Sequence, residues 1–389
     1  NLWPKQTNKQ PSHRSINHPA MRLSASSSLF AVALATGGWL ASALEKVIVS
    51  YQSQMGGVVH FIARDKGFYQ HMGIDVEMVW YPSGAPQVKD AVEKQSWDIG
   101  EAGVVPNIIG GPQGILGIGI SQDQSATNQL VGNAEGVANW PPDSIVGLPI
   151  VVSPNSTGDF VVQACLKSAG FNIPDATFLY EQQAGCLEAL APSGQGNGTL
   201  ARANLGGLWA PNTYTCAATI EGCATICSGA SVYATVTGGH MARKEFAEEK
   251  PEVVAKFLSA WLRAVEFTNN ENNKEEVLDR MEVFYEEHDV SISRDSLEQD
   301  LSLVGLFGLE KQLGFMARQG EPPASNYDLW TKEVGMFMLE NGVISEFVSP
   351  TTYITDKYMR MVNDNQELRT YALGSDIPAE EEESNAFGG

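Results

Sequence analysis

One pattern recurs along this chain and limits what it can build. A short apolar run rich in β-branched residues ends in a turn of Gly, Ser or Pro, and the turn opens a helical stretch. Lys46–Ser53 (KVIVSYQS) reads as a buried strand. Gly56-Gly57 then opens a helix with Val58, Val59, Ile62 and Ala63 at helical spacing. Ile74–Trp80 alternates as a strand, Pro82-Ser83-Gly84 turns, and Ala85–Lys94 is helical. Trp97–Gly100 is a third short strand, and Pro106–Ile109 starts another helix. Strand–helix–strand–helix–strand predicts a parallel sheet covered by helices. In such sheets a ligand sits at the carboxyl ends of the strands.

Residues 145–230 repeat the theme. Ile145–Ser153 contains an apolar strand, PNSTGDF turns, and Phe160–Gly170 is a helix. Ala176–Tyr180 is a strand, Ala184–Leu190 a helix, and Gly207–Trp209 a strand end running into Ala210-Pro211. Ser193–Asn197 is a polar loop. From residue 245 the chain turns helical. Pro251–Phe267 carries Val253, Phe257, Trp261 and Val265 on one stripe, with Val254, Leu258 and Leu262 beside it. Ser325 is a candidate cap for a helix running to Leu339. Two α/β units and a helical C-terminal section predict two lobes joined by crossing strands. The outward crossing is expected near Asn128–Asn133 and the return near Val232–His240. Residues 44–130 and 238–370 then form the first lobe, 131–237 the second, and 371–389 an acidic tail expected to be disordered.

The 389-residue chain carries 46 acidic against 25 basic residues, a formal charge of −21. Residues 1–43 hold four of the basic residues and no acid, so the part from Leu44 is more acidic still. Such a surface repels nucleic acid and anionic membranes. No stretch after residue 44 is apolar for the roughly 18 residues a stable membrane insertion needs. From Met21 the chain reads as a secretory signal: Arg22, an apolar Leu29–Leu40, and a small-residue cleavage site at Ala41-Ser42-Ala43. Residues 1–20 read as upstream sequence, and Leu44 is the expected mature start. A periplasmic or secreted location follows. There, one disulfide among Cys165, Cys186, Cys216, Cys223 and Cys227 is expected, with a thiol left over. The C-x6-C-x3-C run lacks the CxxC pair and nearby His of a zinc site, so no metal and no cofactor are expected.

At the level of ordered motifs the chain resembles the substrate-binding proteins of taurine, aliphatic-sulfonate and nitrate ABC transporters, nearest the taurine branch. VIVSYQSQMGG is similar to their first strand and ligand loop. The stretch from ARDKGFYQ to DIGEAGVVP is similar to their helix, strand, Ser-Gly turn, helix and Asp-Ile-Gly strand. GLWAPNTY resembles their Trp-x-Pro turn, and ARKEFAEEKPEVVAKFLSAWLRA their C-terminal helix entry. The resemblance implies a type II periplasmic-binding-protein fold, two doubly wound α/β lobes with a cleft between. It also implies a non-enzymatic role: capture of a small solute by a monomer, and delivery to a permease and ATPase.

Five turns then converge on the cleft, and none contains Lys or Arg: Tyr51–Gly56, Tyr81–Pro86, Gly100–Asn107, Asn155–Phe160 and Trp209–Tyr214. A bound anion must rely on neutral donors, with helix N-termini supplying free N–H groups. Ser83-Gly84-Ala85 and Ser156-Thr157 are the best placed, and Gln52 and Asn107 could donate. Ser83 and Ser156 are equally readable as helix caps. Glu101 and Asp159, with no base beside them, invite a cationic group, and Tyr51 and Trp209 could offer aromatic faces. Tyr81 and Tyr214 read as packing or rim, His60 as core, and His240 as a residue that could reach the cleft. An anion pocket beside carboxylates fits a zwitterion such as taurine. The chain departs from the taurine branch in having no carboxylate between Ser231 and Arg243, so either Glu101 or Asp159 takes that part or the ligand is not taurine. Nitrate or an aminophosphonate is the alternative ligand. A fungal thiamine-pyrimidine-synthase-like enzyme is the alternative class, and a secreted receptor without a transporter a third. Sequons lie at Asn155, expected bare because it sits in the mouth, and at Asn197.

Overall fold

The computed structural model describes residues 44–192 and 201–375. The expected signal segment, the Ser193–Asn197 loop and the Asn197 sequon lie outside the described residues.

Among the described residues, ten strands make two sheets. β1 (Glu45–Tyr51), β2 (Ile74–Trp80), β3 (Ile99–Gly103), β4 (Ile115–Asp123) and β10 (Thr237–Arg243) form the first, in the order β2-β1-β3-β10-β4. β1 runs parallel to β2 and β3, while β10 is antiparallel to β3 and β4. β5 (Asn128–Gly132), β6 (Pro149–Val152), β7 (Thr177–Tyr180), β8 (Leu205–Trp209) and β9 (Ala224–Ser228) form the second, in the order β7-β6-β8-β5-β9. The two orders correspond position for position. In each, one antiparallel strand arriving from the other lobe is wedged beside the third parallel strand.

The chain leaves the first sheet after Asp123 and enters the second at Asn128. It returns between Ser228 and Thr237. The two crossings are tied to each other: the Gln124 N–H donates to the Val236 carbonyl at 2.8 Å, and the Val236 N–H donates to Ser125 Oγ at 2.9 Å.

The parallel strands β1, β2, β3, β6, β7 and β8 each lead into a helix. The first lobe has Met55–Asp65, Gly84–Lys94 and Val104–Gly110; the second has Thr157–Ser168, Gln183–Leu190 and Asn212–Thr219. The long helix Pro251–Asn269 buries Phe257, Trp261 and Val265 of its stripe, with Val254, Leu258 and Leu262, against the first sheet's core. Val253, at the stripe's start, is only half-buried. Ser325 caps Asn326–Glu340 as expected, and Asp328 completes the reciprocal pair. Two expectations are corrected. The helix Gln366–Ala372 runs past residue 371, so the tail cannot start there. Two disulfides are present rather than one, Cys165–Cys227 and Cys216–Cys223, with Cys186 free and buried. The longer one joins the helix Thr157–Ser168 to β9, a pairing 62 residues apart that depends on how that helix lies on its sheet. Among the described residues, no helix is long and apolar enough to cross a membrane.

Candidate functional site

The carboxyl ends of β1, β2 and β3 face those of β6, β7 and β8 across the crossings, and the lobes are shut. The closest approach is at Gly103, which closes β3. A Cβ added there would overlap Thr157 Oγ1, on the first turn of the facing helix. Contacts flank this centre on both sides. Tyr214 of the second lobe donates to Asp300 of the first at 3.4 Å. On the other flank Phe160 meets Phe337 edge-on at 5.2 Å, and Lys167 pairs with Glu340.

Two hydroxyls at this junction are buried and unpartnered. Ser83 Oγ precedes Gly84–Lys94 and makes no cap bond, so it is not an ordinary cap. Thr157 Oγ1 stands at the start of Thr157–Ser168. A buried polar atom without a partner costs about 1–3 kcal/mol, and these two, at helix starts on opposite lobes, are the candidates to meet a bound acceptor. Ser156, by contrast, is a cap: its Oγ accepts from the Asp159 N–H and donates to the Ser153 carbonyl.

The expected residues do not all gather here. Gly84 and Ala85 begin the helix behind Ser83, and Gly84 packs on Pro106. Gln52 is buried but donates to Gln87, which in turn holds Ser50 and the Glu101 carbonyl. Asn107 points away, donating to the Tyr327 hydroxyl at 2.9 Å beneath β4 and β10. Tyr51 turns to His288 (2.9 Å) and Phe284. Trp209 is 8 % exposed and lays its ring against Gly158. His240 does not reach the cleft. It is fully buried against Trp261, ring centroids 4.2 Å apart, and beside His60. Burial lowers both imidazoles, His60 to about 3. His60 is a core residue, hydrogen-bonded to Tyr69. Asn155, half-buried with φ 53°, lines the interlobe crevice.

The two carboxylates sit in different surroundings. Glu101 is fully buried, and burial pushes it up to about 7. Three neutral side chains donate to it: Gln54 (2.9 Å to Oε2), Ser121 (2.8 Å to Oε1) and Gln122 (3.3 Å to Oε1). Asp159 accepts from Gln163 at 2.8 Å, and burial raises it to about 6. Beside it a cavity of about 10 Å³ separates Phe160 and Gln163 from Val105 and Phe337, barely room for one water. A groove of about 710 Å³ lies elsewhere, between His71–Gly73, Glu252 and Met361–Leu368, on the outer side of the first lobe. None of its lining residues carries an unpartnered buried polar atom, so the shut junction is the better candidate.

Sequence reasoning missed Gln54, Ser121, Gln122 and Gln124, and the unpartnered buried Gln182, Thr213 and Thr237. A signal was present in part. QSQ after β1 and SQDQ ending β4 are dense in amides and hydroxyls right after apolar runs.

No family model and no curated protein matches the sequence. Solved structures do match. The periplasmic aliphatic sulphonate binding protein SsuA from Escherichia coli aligns over 81% of this chain and 99% of its own, with 15% identity and a TM-score of 0.60. The chain has the periplasmic-binding-protein fold. The alkanesulfonate-binding SsuA from Xanthomonas axonopodis pv. citri, bound to MOPS, gives 0.62 at 12% identity, covering 81% and 99%. The periplasmic nitrate-binding protein NrtA from Synechocystis PCC 6803 gives 0.60 at 11%, covering 86% and 90%. In this chain the fold comprises two lobes, the crossings and the junction between them.

That junction makes a mutational prediction. Gly103 has φ −67°, open to any residue, so Gly103→Ala should leave the first lobe intact. Its methyl group meets Thr157 only when the lobes shut. The variant is expected to melt within a few degrees of wild type, yet scatter X-rays as a larger, opened particle. A wild-type radius of gyration would refute the junction.

Proposed function

We propose that this is an extracytoplasmic solute-binding protein that shuts its lobes on a small oxyanion, and that a sulfonate zwitterion of the taurine type fits the cleft best. One observation carries the reading. Unpartnered, buried hydroxyls on opposite lobes, Ser83 and Thr157, stand at the starts of helices of 11 and 12 residues. Free N–H groups there add donors and a partial positive charge. No basic side chain lies in the five turns. A sulfonate, with its charge spread over three oxygens, suits such neutral donors. A ligand ammonium would find Glu101 on the floor, whose Oε2 accepts from Gln54 alone among the described side chains.

The role is binding rather than catalysis. Four cysteines are tied in disulfides, and burial pushes the fifth, Cys186, up to about 12, far from a reactive thiolate. The same reading assigns a monomer outside the cytoplasm that hands its solute to a membrane permease with an ATPase. Two disulfides support an oxidising location. Binding would favour the shut state through contacts from both lobes.

Titration calorimetry with taurine, short alkanesulfonates, nitrate and an aminophosphonate tests this. Taurine or a close sulfonate is expected to bind best. Ser83→Ala and Thr157→Val should each weaken it by roughly tenfold or more, the worth of a hydrogen bond to a charged group. No heat from any of the four ligand classes would overturn the reading. Preference for nitrate would leave solute binding standing and reject the zwitterion.

A further inference from the structure

Glu101 has a second set of relations, with the crossings rather than with the cleft. Its three donors come from two places. Gln54 belongs to the loop after β1; Ser121 and Gln122 belong to the end of β4, the strand that runs into the outward crossing. Gln54 is held from its other side: its Oε1 accepts from Gln124 Nε2 at 2.8 Å, and Gln124 lies in the outward crossing itself. The return crossing touches the same point. Gly238, second residue of β10, packs so close that a Cβ would overlap Ser121 Oγ and lie 2.9 Å from Glu101 Oε1. Gln124 closes the ring by its backbone bond to Val236. The side chains of this ring are all buried, with Gln54 and Gln124 at 5 % exposure.

The Gln54 amide orientation is fixed by this ring. Its NH2 meets a carboxylate and its carbonyl meets an NH2, so flipping it would break both bonds. Gln122 Oε1 is buried without a partner, so the stiffness is centred on Gln54, where losing one member costs more than one bond.

We propose that Glu101 is a hinge clamp: its carboxylate binds the root of one crossing, abuts the other, and sets the angle between the lobes whether or not the cleft holds a solute. It acts as a positioning residue for closure. A pure ligand contact would have no need of Gln124, which reaches Glu101 only through Gln54. The idea does not depend on which solute the cleft takes.

The test uses the full chain with no ligand added. Amide hydrogen exchange is followed across 121–128 and 232–240, with solution scattering on the same samples. Glu101→Ala is expected to speed exchange in both crossings by at least tenfold and to enlarge the radius of gyration. Gln124→Ala touches no carboxylate and removes only the link to Gln54; it should give the same pattern, about threefold or more. It keeps the question open to decision if Glu101→Ala fails to fold. Wild-type exchange and scattering in Gln124→Ala, or in a folded Glu101→Ala that has lost only solute affinity, would overturn the clamp. Loss of solute binding alone would leave Glu101 as a ligand contact and nothing more.

Discussion

Removing the Cys165–Cys227 disulfide, by Cys165→Ala with Cys227→Ser, is expected to destabilise the second lobe by about 4 kcal/mol, the loop-closure value for a loop of 62 residues. The bond joins the helix Thr157–Ser168 to β9, at the outer edge of the second sheet. One apolar cluster of that lobe is built around Val131, Val151, Leu190 and Leu208, and Ile150, Val152, Val161, Val162 and Leu166 are buried in the lobe as well, while the first lobe's cluster gathers most of the C-terminal helices. Urea unfolding of the variant and of the wild type, both without reductant, measures the effect. Two transitions are expected in the variant, the second lobe's first, with the first lobe unmoved. A single transition at the wild-type midpoint would show that the bond adds nothing. The Cys216–Cys223 loop spans only seven residues, so its loss should cost about half as much.

Acid pH is expected to stabilise Asp300 in the native state and to strain the buried histidines, with opposite signs. Asp300 is fully buried, accepts from Tyr214 and Tyr285, and is pushed by burial up to about 7. Unfolded, it titrates near 4, so the folded protein holds this proton more tightly. Its contribution is fully present below about pH 4 and is lost as the pH rises through about 7. Glu101 and Asp159 behave alike, with folded values of about 7 and about 6. His60 and His240 are lowered, His60 to about 3, so theirs is present above about 6.5 and lost as the pH falls. In the wild type the two groups offset each other between pH 8 and 5. Asp300→Asn separates them. Relative to the variant, the wild type should gain about 2–3 kcal/mol between pH 8 and pH 5. Denaturant midpoints at both pH values give the answer, and parallel curves would reject it.

The parallel halves of both lobes were legible because their physics is local. Lys46–Ser53 and Ile74–Trp80 carry their own strand pattern, and the turns after them contain the residues that start helices. Ser325 announced its cap. The strands next to the crossings were harder. ILGIGISQD and TGGHMAR are glycine-rich and partly polar, and β4 and β10 are strands because they lie between other strands, not because of their own propensity. The site divides in the same way. Ser83 and Thr157 were readable from turn chemistry. His240 was misplaced because the face of a strand side chain depends on register, which one residue of slip reverses, and Asn107 because the helix Val104–Gly110 turns it to Tyr327, a partner 220 residues away. Gln54, Ser121, Gln122 and Gln124 were missed because they meet only after two crossings have been folded together. Their partners are 20 to 70 residues away.

The burial of Cys186 has a practical consequence. The other four cysteines are bonded to each other, and this one is sealed beside Leu190 and Cys216. The folded protein therefore offers no sulfur to a thiol-reactive dye. A single cysteine engineered at the rim, near half-exposed Trp80 or Tyr180, would be the one position that a maleimide could find. If the proposed closure on a solute holds, a protein that takes one label cleanly at that rim is a ready chassis for an optical sensor.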